Sequence, residues 1–138
     1  MMVRANIPIM SINTKRKRIY FNRATICLLG EPTHLFFRLD EPNERLIIIP
    51  AAEETLDAYE IPPHFWKDNR RGCLVSRLPF FLTLMQISNW KSERIYEIEG
   101  IYQVFEETQR LIVFNLDEAI EIDNIMIDEE FTDEEEQS

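Results

Sequence analysis

The sequence predicts a mainly β fold with short helices, in the α+β class, and three observations carry that expectation. Apolar runs of strand length recur, alternating in "IPIMSIN" and "THLFFRLD" and continuous in "RLIIIP". Polar clusters ("TKRKR", "EPNE", "EETQ") separate such runs at turn spacing. The order strand, turn, strand, short helix, strand, turn, strand occurs in residues 1–50 and again in residues 70–116.

The elements follow in order. "IPIMSIN" alternates and reads as a strand, "TKRKR" as a turn and "IYF" as a second strand. Asn22 is placed to cap a short helix, "RATICLLG", and Gly30 to end it. "THLFFRLD", "EPNE" and "RLIIIP" make a strand, a turn and a strand, the last apolar enough to be covered on both faces. "AAEETLDAYEIPPHFWKDNRR" is a connection with one helical turn. In the second half "GCLV" reads as a strand. Ser76 is placed to cap the helix "RLPFFLTLMQISNW", with Pro79 in its first turn. "RIYEIEGIYQVF" is expected as one strand bulged at Gly100, followed by the turn "EETQ" and the strand "RLIVFNL". Asn22-Arg23 matches Ser76-Arg77 at an offset of 54, and Arg45-Leu46-Ile47-Ile48 matches Arg110-Leu111-Ile112-Val113 at an offset of 65. These matches point to an internal repeat: residues 1–50 and 70–116 are two copies forming one globular domain, with 51–69 between them.

A chain of 138 residues is of single-domain length. Three glycines are too few for Gly-rich phosphate loops, and neither GxxxxGK[ST] nor GxGxxG occurs. No apolar run approaches the ~18 residues of a membrane span, and "MMVRANIPIM" lacks the pattern of a secretory signal. Cys27 and Cys73 fall outside any CxxC pattern, so the expectation is a cytoplasmic protein with reduced thiols.

Charge is distributed unevenly within a formal net of −10. Residues 1–50 hold eight Lys and Arg against four acids, a net of +4. From Asp117 to Ser138 there are eleven acids and no base, leaving residues 1–116 with 15 bases and 14 acids. The end "DEEFTDEEEQS" cannot bury enough apolar surface to offset ordering, so disorder is expected from about residue 128. "AIEIDNIMI" before it reads as a last strand or as an acidic interaction segment.

The stretch Lys17-Arg18-Ile19-Tyr20-Phe21-Asn22, followed by Ile26-Cys27-Leu28-Leu29-Gly30, resembles the swapped-hairpin domain of AbrB-like transition-state regulators. In that family a basic hairpin turn leads through a strand into a short helix ending L-G. Lys17 stands where the family has its turn glycine, Asn22 where it has proline and Ile26 where it usually has arginine. The resemblance covers residues 10–50 and, more faintly, 70–116. It implies a swapped-hairpin β-barrel, closed here within one chain by the tandem copy, and DNA binding through basic side chains near the first hairpin and helix.

Candidate nucleic-acid-binding residues are Lys15, Arg16, Lys17 and Arg18 on the hairpin turn and Arg23 at the helix start. Arg70, Arg71 and Arg77 hold the corresponding places in the second copy, with Lys67 nearby. The competing reading of "TKRKR" is a solvated turn. Phe65 and Trp66 beside three bases are candidates for base stacking, against packing of the connection into the core. His34 and His64 are isolated and lack ligand-spaced partners, so no metal or cofactor is expected. Cys27 lies among apolar helical residues and reads as an inert thiol. Glu53-Glu54 and Glu106-Glu107 fall in connections and turns, where solvation explains them, and no catalytic grouping emerges.

The expected function is therefore non-enzymatic: a small DNA-binding accessory or regulatory protein, monomeric or homodimeric, with double-stranded DNA as partner and no membrane contact. In this reading the acidic tail competes with DNA for the basic patch. The alternative is a protein-interaction module, of phage or mobile-element type, that engages a basic protein partner through residues 117–138.

Overall fold

Every strand pairing is antiparallel in the computed structural model, which describes residues 7–68 and 70–122. β1 (Ile9–Asn13) and β2 (Arg18–Asn22) form a hairpin with Met10 opposite Phe21. Asn22 caps α1 (Arg23–Leu28): its side-chain oxygen accepts the Thr25 N–H at 3.1 Å, pairing a donor that the helix start cannot pair internally. Gly30 then turns the chain at φ 92°. β3 (His34–Asp40) and β4 (Arg45–Ala51) make a second hairpin. The connection carries the two-residue β5 (Tyr59–Glu60) and the short helix α2 (Pro63–Lys67). β6 (Gly72–Val75), α3 (Leu78–Ile87), β7 (Ile95–Glu99), β8 (Ile101–Phe105) and β9 (Gln109–Asn115) follow. A 3-10 turn at Leu116–Glu118 leads into β10 (Ile120–Glu121), realising the start of "AIEIDNIMI" as a strand. The disorder expected from residue 128 lies outside the described residues.

The strands form two five-stranded sheets, in the orders β10-β7-β1-β2-β6 and β5-β3-β4-β9-β8. The halves of the chain interleave: β2 pairs β6, β1 pairs β7 and β4 pairs β9. Phe21 of β2 stacks on Phe37 of β3 at 5.7 Å between centroids and meets Phe114 of β9 at 5.9 Å, so the sheets share one core. Met10, Ile12, Ile19, Leu46, Ile48 and Ile112 are fully buried in it, each such side chain contributing about 1.5–3 kcal/mol.

Two expectations are corrected and a third is qualified. "RIYEIEGIYQVF" is two strands: Gly100 lies between β7 in one sheet and β8 in the other. Its N–H donates to the Pro8 carbonyl at 2.8 Å, and a Cβ there would lie 2.7 Å from atoms of Ile112 and Phe114, so only glycine lets the chain cross so closely. Ser76 does not cap α3. The backbone remains extended through Arg77 (φ −91°, ψ 108°), one residue too far for the Ser76 hydroxyl to reach the first helical amides. The expected barrel is not closed by hydrogen bonds, because each sheet retains two edges among the described residues.

Candidate nucleic-acid interface

The basic turn between β1 and β2 is built by Asn13. This side chain is fully buried, and its oxygen accepts the N–H groups of Lys15 at 3.0 Å and Arg16 at 3.1 Å. An asparagine that holds the backbone two and three residues ahead makes a tight polar turn. Lys17 completes it at φ 60°, the left-handed conformation that the glycine at this place in the resembling family would adopt without penalty. Lys15, Arg16 and Lys17 are exposed, while Arg18, the first residue of β2, is half-buried. Burial, and then the charge of Arg16, lower the pKa of Arg18 from its ordinary value, as expected where cations crowd together.

The root of this turn is fastened from the second half of the chain. The Thr14 N–H donates to the Arg94 carbonyl at 2.9 Å, and the Thr14 hydroxyl accepts the Arg94 N–H at 2.7 Å. Arg94 therefore belongs to the turn's surroundings, a residue that sequence reasoning missed because eighty positions separate the two. Its guanidinium meets the Glu121 carboxylate of β10 at 3.0 Å. The Ile122 N–H bonds to the Ile95 carbonyl, and Ile95 faces Asn13 across the sheet, so the chain leaves the described residues at the end of the sheet that bears the basic turn.

The remaining candidates divide between the two ends of the β2–β6 pair. Ile19 lies opposite Val75, which brings Arg18 to Ser76 and Arg77. Asn22 lies opposite Gly72, which brings Arg23 to Arg70 and Arg71 at the far end, about 17 Å away at strand rise. Arg23 is held by the protein itself: it donates to the Arg70 carbonyl at 2.8 Å and lies over the rings of Phe65 and Trp66 at 5.0 and 5.6 Å. Arg70 is only 7% exposed, with the Asp68 carboxylate at 3.7 Å. Arg71 and Arg77 are exposed. Of the aromatic pair, Phe65 is in the core and Trp66 packs against it, half-buried. Ile26, where the family carries arginine, is fully buried, so α1 turns an apolar side chain inward there.

Arg18 and Arg77 line one pocket of about 410 Å³, together with Tyr59, His64 and Ser76. The Arg77 guanidinium lies over the Tyr59 ring at 5.0 Å, and the Tyr59 hydroxyl donates to the Leu74 carbonyl at 3.2 Å. Burial pushes the Tyr59 phenol above its ordinary pKa, which keeps it a hydrogen-bond donor. Cys27 and Cys73 are free thiols, half-buried and buried respectively. Among the described residues no group of three or more His, Cys, Asp or Glu is placed to hold a metal ion, and no helix is long and apolar enough to cross a membrane.

No protein-family model, no curated protein and no solved structure matches this chain.

Proposed function

We propose that the protein is a non-enzymatic, cytoplasmic DNA-binding accessory or regulator of AbrB-like type, which engages double-stranded DNA through the turn between β1 and β2. The observation that carries this reading is the buried Asn13 side chain, which holds Lys15 and Arg16 by their backbone amides in a turn with three exposed cations. Cations on a fixed scaffold displace the counterions of DNA without a large ordering cost. Arg18, Arg71 and Arg77 extend the contact along β2 and β6, while Arg23 and Arg70 brace it from within.

The proposed duplication has support of its own. Tyr20 and Leu74, equivalent at the offset of 54, are also direct partners across β2 and β6. α1 packs against β6 and α3 against β2, as two units related by a local twofold would. Ile122 bonds at the sheet end that carries the turn, and we assign the acidic residues that follow it in sequence the role of an internal competitor of DNA phosphates.

The test is fluorescence anisotropy of labelled duplex DNA over a salt series. The full chain is expected to bind with log K falling linearly in log salt, and replacing Lys15, Arg16 and Lys17 by Gln lowers that slope by about 2–3. Neutralising the tail carboxylates with Asn and Gln raises the affinity. No binding at low salt, or a triple variant indistinguishable from the parent, refutes the reading.

A second reading rests on β8, an edge strand on which Ile101, Val104 and Phe105 are each 48% exposed. An apolar edge with no further strand among the described residues favours a protein partner or a second copy. Sedimentation equilibrium of the parent and of Val104→Lys distinguishes a dimer through this edge from a monomer.

A further inference from the structure

The pocket holding Arg18 and Arg77 has a chemistry separable from the turn. It runs along the outer edge of β6, the last strand of its sheet, and is covered on the far side by the Tyr59–Phe65 segment. Its charged and polar contributors are hydrogen-bond donors at almost every point. Two guanidiniums come from different elements, Arg18 from β2 and Arg77 from the start of α3, and Ser76 adds a hydroxyl. Residues of a strand direct their N–H and C=O to the same side, so the Leu74 N–H emerges on this edge beside its carbonyl. That carbonyl, an acceptor that would repel an anion, is occupied by the Tyr59 hydroxyl. Among the described residues no carboxylate lines the pocket.

We propose that this pocket binds a phosphate monoester, either as a free mononucleotide or as the terminal phosphate of a nucleic-acid strand. The Arg77 fork, an amide and a hydroxyl, with the positive charge of Arg18 beside them, suit a phosphate monoester, which brings three terminal oxygens and close to two charges, better than the two oxygens of a carboxylate. The Arg77 guanidinium is oriented by the Tyr59 face beneath it, which reduces the ordering cost of a bidentate contact. Pro62, Phe65 and Leu74 supply an apolar wall for the body that carries the phosphate. A pocket of about 410 Å³ is in the range that holds a ligand of nucleotide size. Lys15, Arg16 and Lys17 are absent from the lining, so substitutions of these three test the pocket apart from the turn, while Arg18 and Arg77 are shared with the proposed DNA contact.

The experiment is calorimetric titration of the full chain with AMP, adenosine and inorganic phosphate at fixed ionic strength. Anisotropy with a single-stranded octamer bearing either a 5′-phosphate or a 5′-hydroxyl accompanies it. AMP is expected to bind at least about tenfold more tightly than adenosine, and Arg77→Gln to weaken it about tenfold or more. Ser76→Asp, a surface change that places a carboxylate among the donors, abolishes binding. The Gln triple variant of Lys15, Arg16 and Lys17 retains AMP affinity. Preference for the phosphorylated octamer assigns the site to strand ends as well, and equal affinity for the two octamers assigns it to the free nucleotide. Failure of AMP to bind up to about 10 mM, or binding that survives both Arg77→Gln and Ser76→Asp in folded protein, overturns the proposal.

Discussion

Thr14 and Arg94 bond reciprocally across the root of the basic turn: the Thr14 hydroxyl accepts the Arg94 N–H at 2.7 Å while the Thr14 N–H donates to the Arg94 carbonyl at 2.9 Å. Thr14 is 4% exposed, so its hydroxyl has no ready replacement in water. Thr14→Val keeps the shape and leaves the Arg94 amide without its acceptor, and it is expected to cost about 1–3 kcal/mol in urea unfolding. Thr14→Ser recovers most of that loss.

Lys17 occupies φ 60° at the cost of a Cβ clash that glycine avoids. Lys17→Gly is expected to raise stability by about 1 kcal/mol, less the extra entropy that glycine gives the unfolded chain. The same change lowers the salt slope of DNA binding by about 0.9. Opposite movement of stability and salt dependence in one variant separates the turn's geometry from its charge.

Arg23 makes the contrasting case. Its guanidinium is spent on the Arg70 carbonyl and the faces of Phe65 and Trp66. Arg23→Met is expected to cost about 1–2 kcal/mol in thermal or urea unfolding and to leave the salt slope of DNA binding unchanged. A slope that falls without loss of stability would instead place Arg23 on the phosphates.

Asp40 faces Arg45 across the β3–β4 hairpin, with Nη2 of Arg45 at 2.6 Å and Nε at 3.2 Å from one carboxylate oxygen. The Arg45 hydrogen bonds, and then that of Asn43, hold the Asp40 carboxyl below its ordinary value of 3.8. A carboxyl whose pKa is depressed on folding stabilises the fold above its unfolded pKa and loses that contribution as pH falls through the folded value. Asp40→Asn is therefore expected to remove one component of the acid sensitivity below pH ~4, read as a shallower decline of the urea midpoint on acidification. The aspartate's own titration by NMR checks the direction of the shift.

Most of the strands, the turns between them and the first helix were legible because each is fixed by neighbours in the chain. The alternation of "IPIMSIN", the Asn22 cap with Thr25 three residues on, and the polar break at "EPNE" are local chemistry. Gly100 was read as a bulge within one strand because its signal, a small residue between two β-forming runs, is the same for a bulge and a crossing between sheets. The side chains of Ile112 and Phe114, which forbid a Cβ at Gly100, come from another strand.

The cluster of cations at Lys15 to Arg18 and the turn at its start are properties of the sequence alone, since adjacent charges after an alternating strand favour a solvated turn. Which cations come together was decided by tertiary structure. Asn13 fixes the turn, the carbonyl and rings of the connection hold Arg23, and the pairing of β2 with β6 brings Arg18 within one pocket of Arg77 across 59 positions of chain. Propensity and periodicity act over a few residues and set which segments become strands. The order of strands in a sheet is set by long-range burial and hydrogen bonding, and that order determines which charges meet.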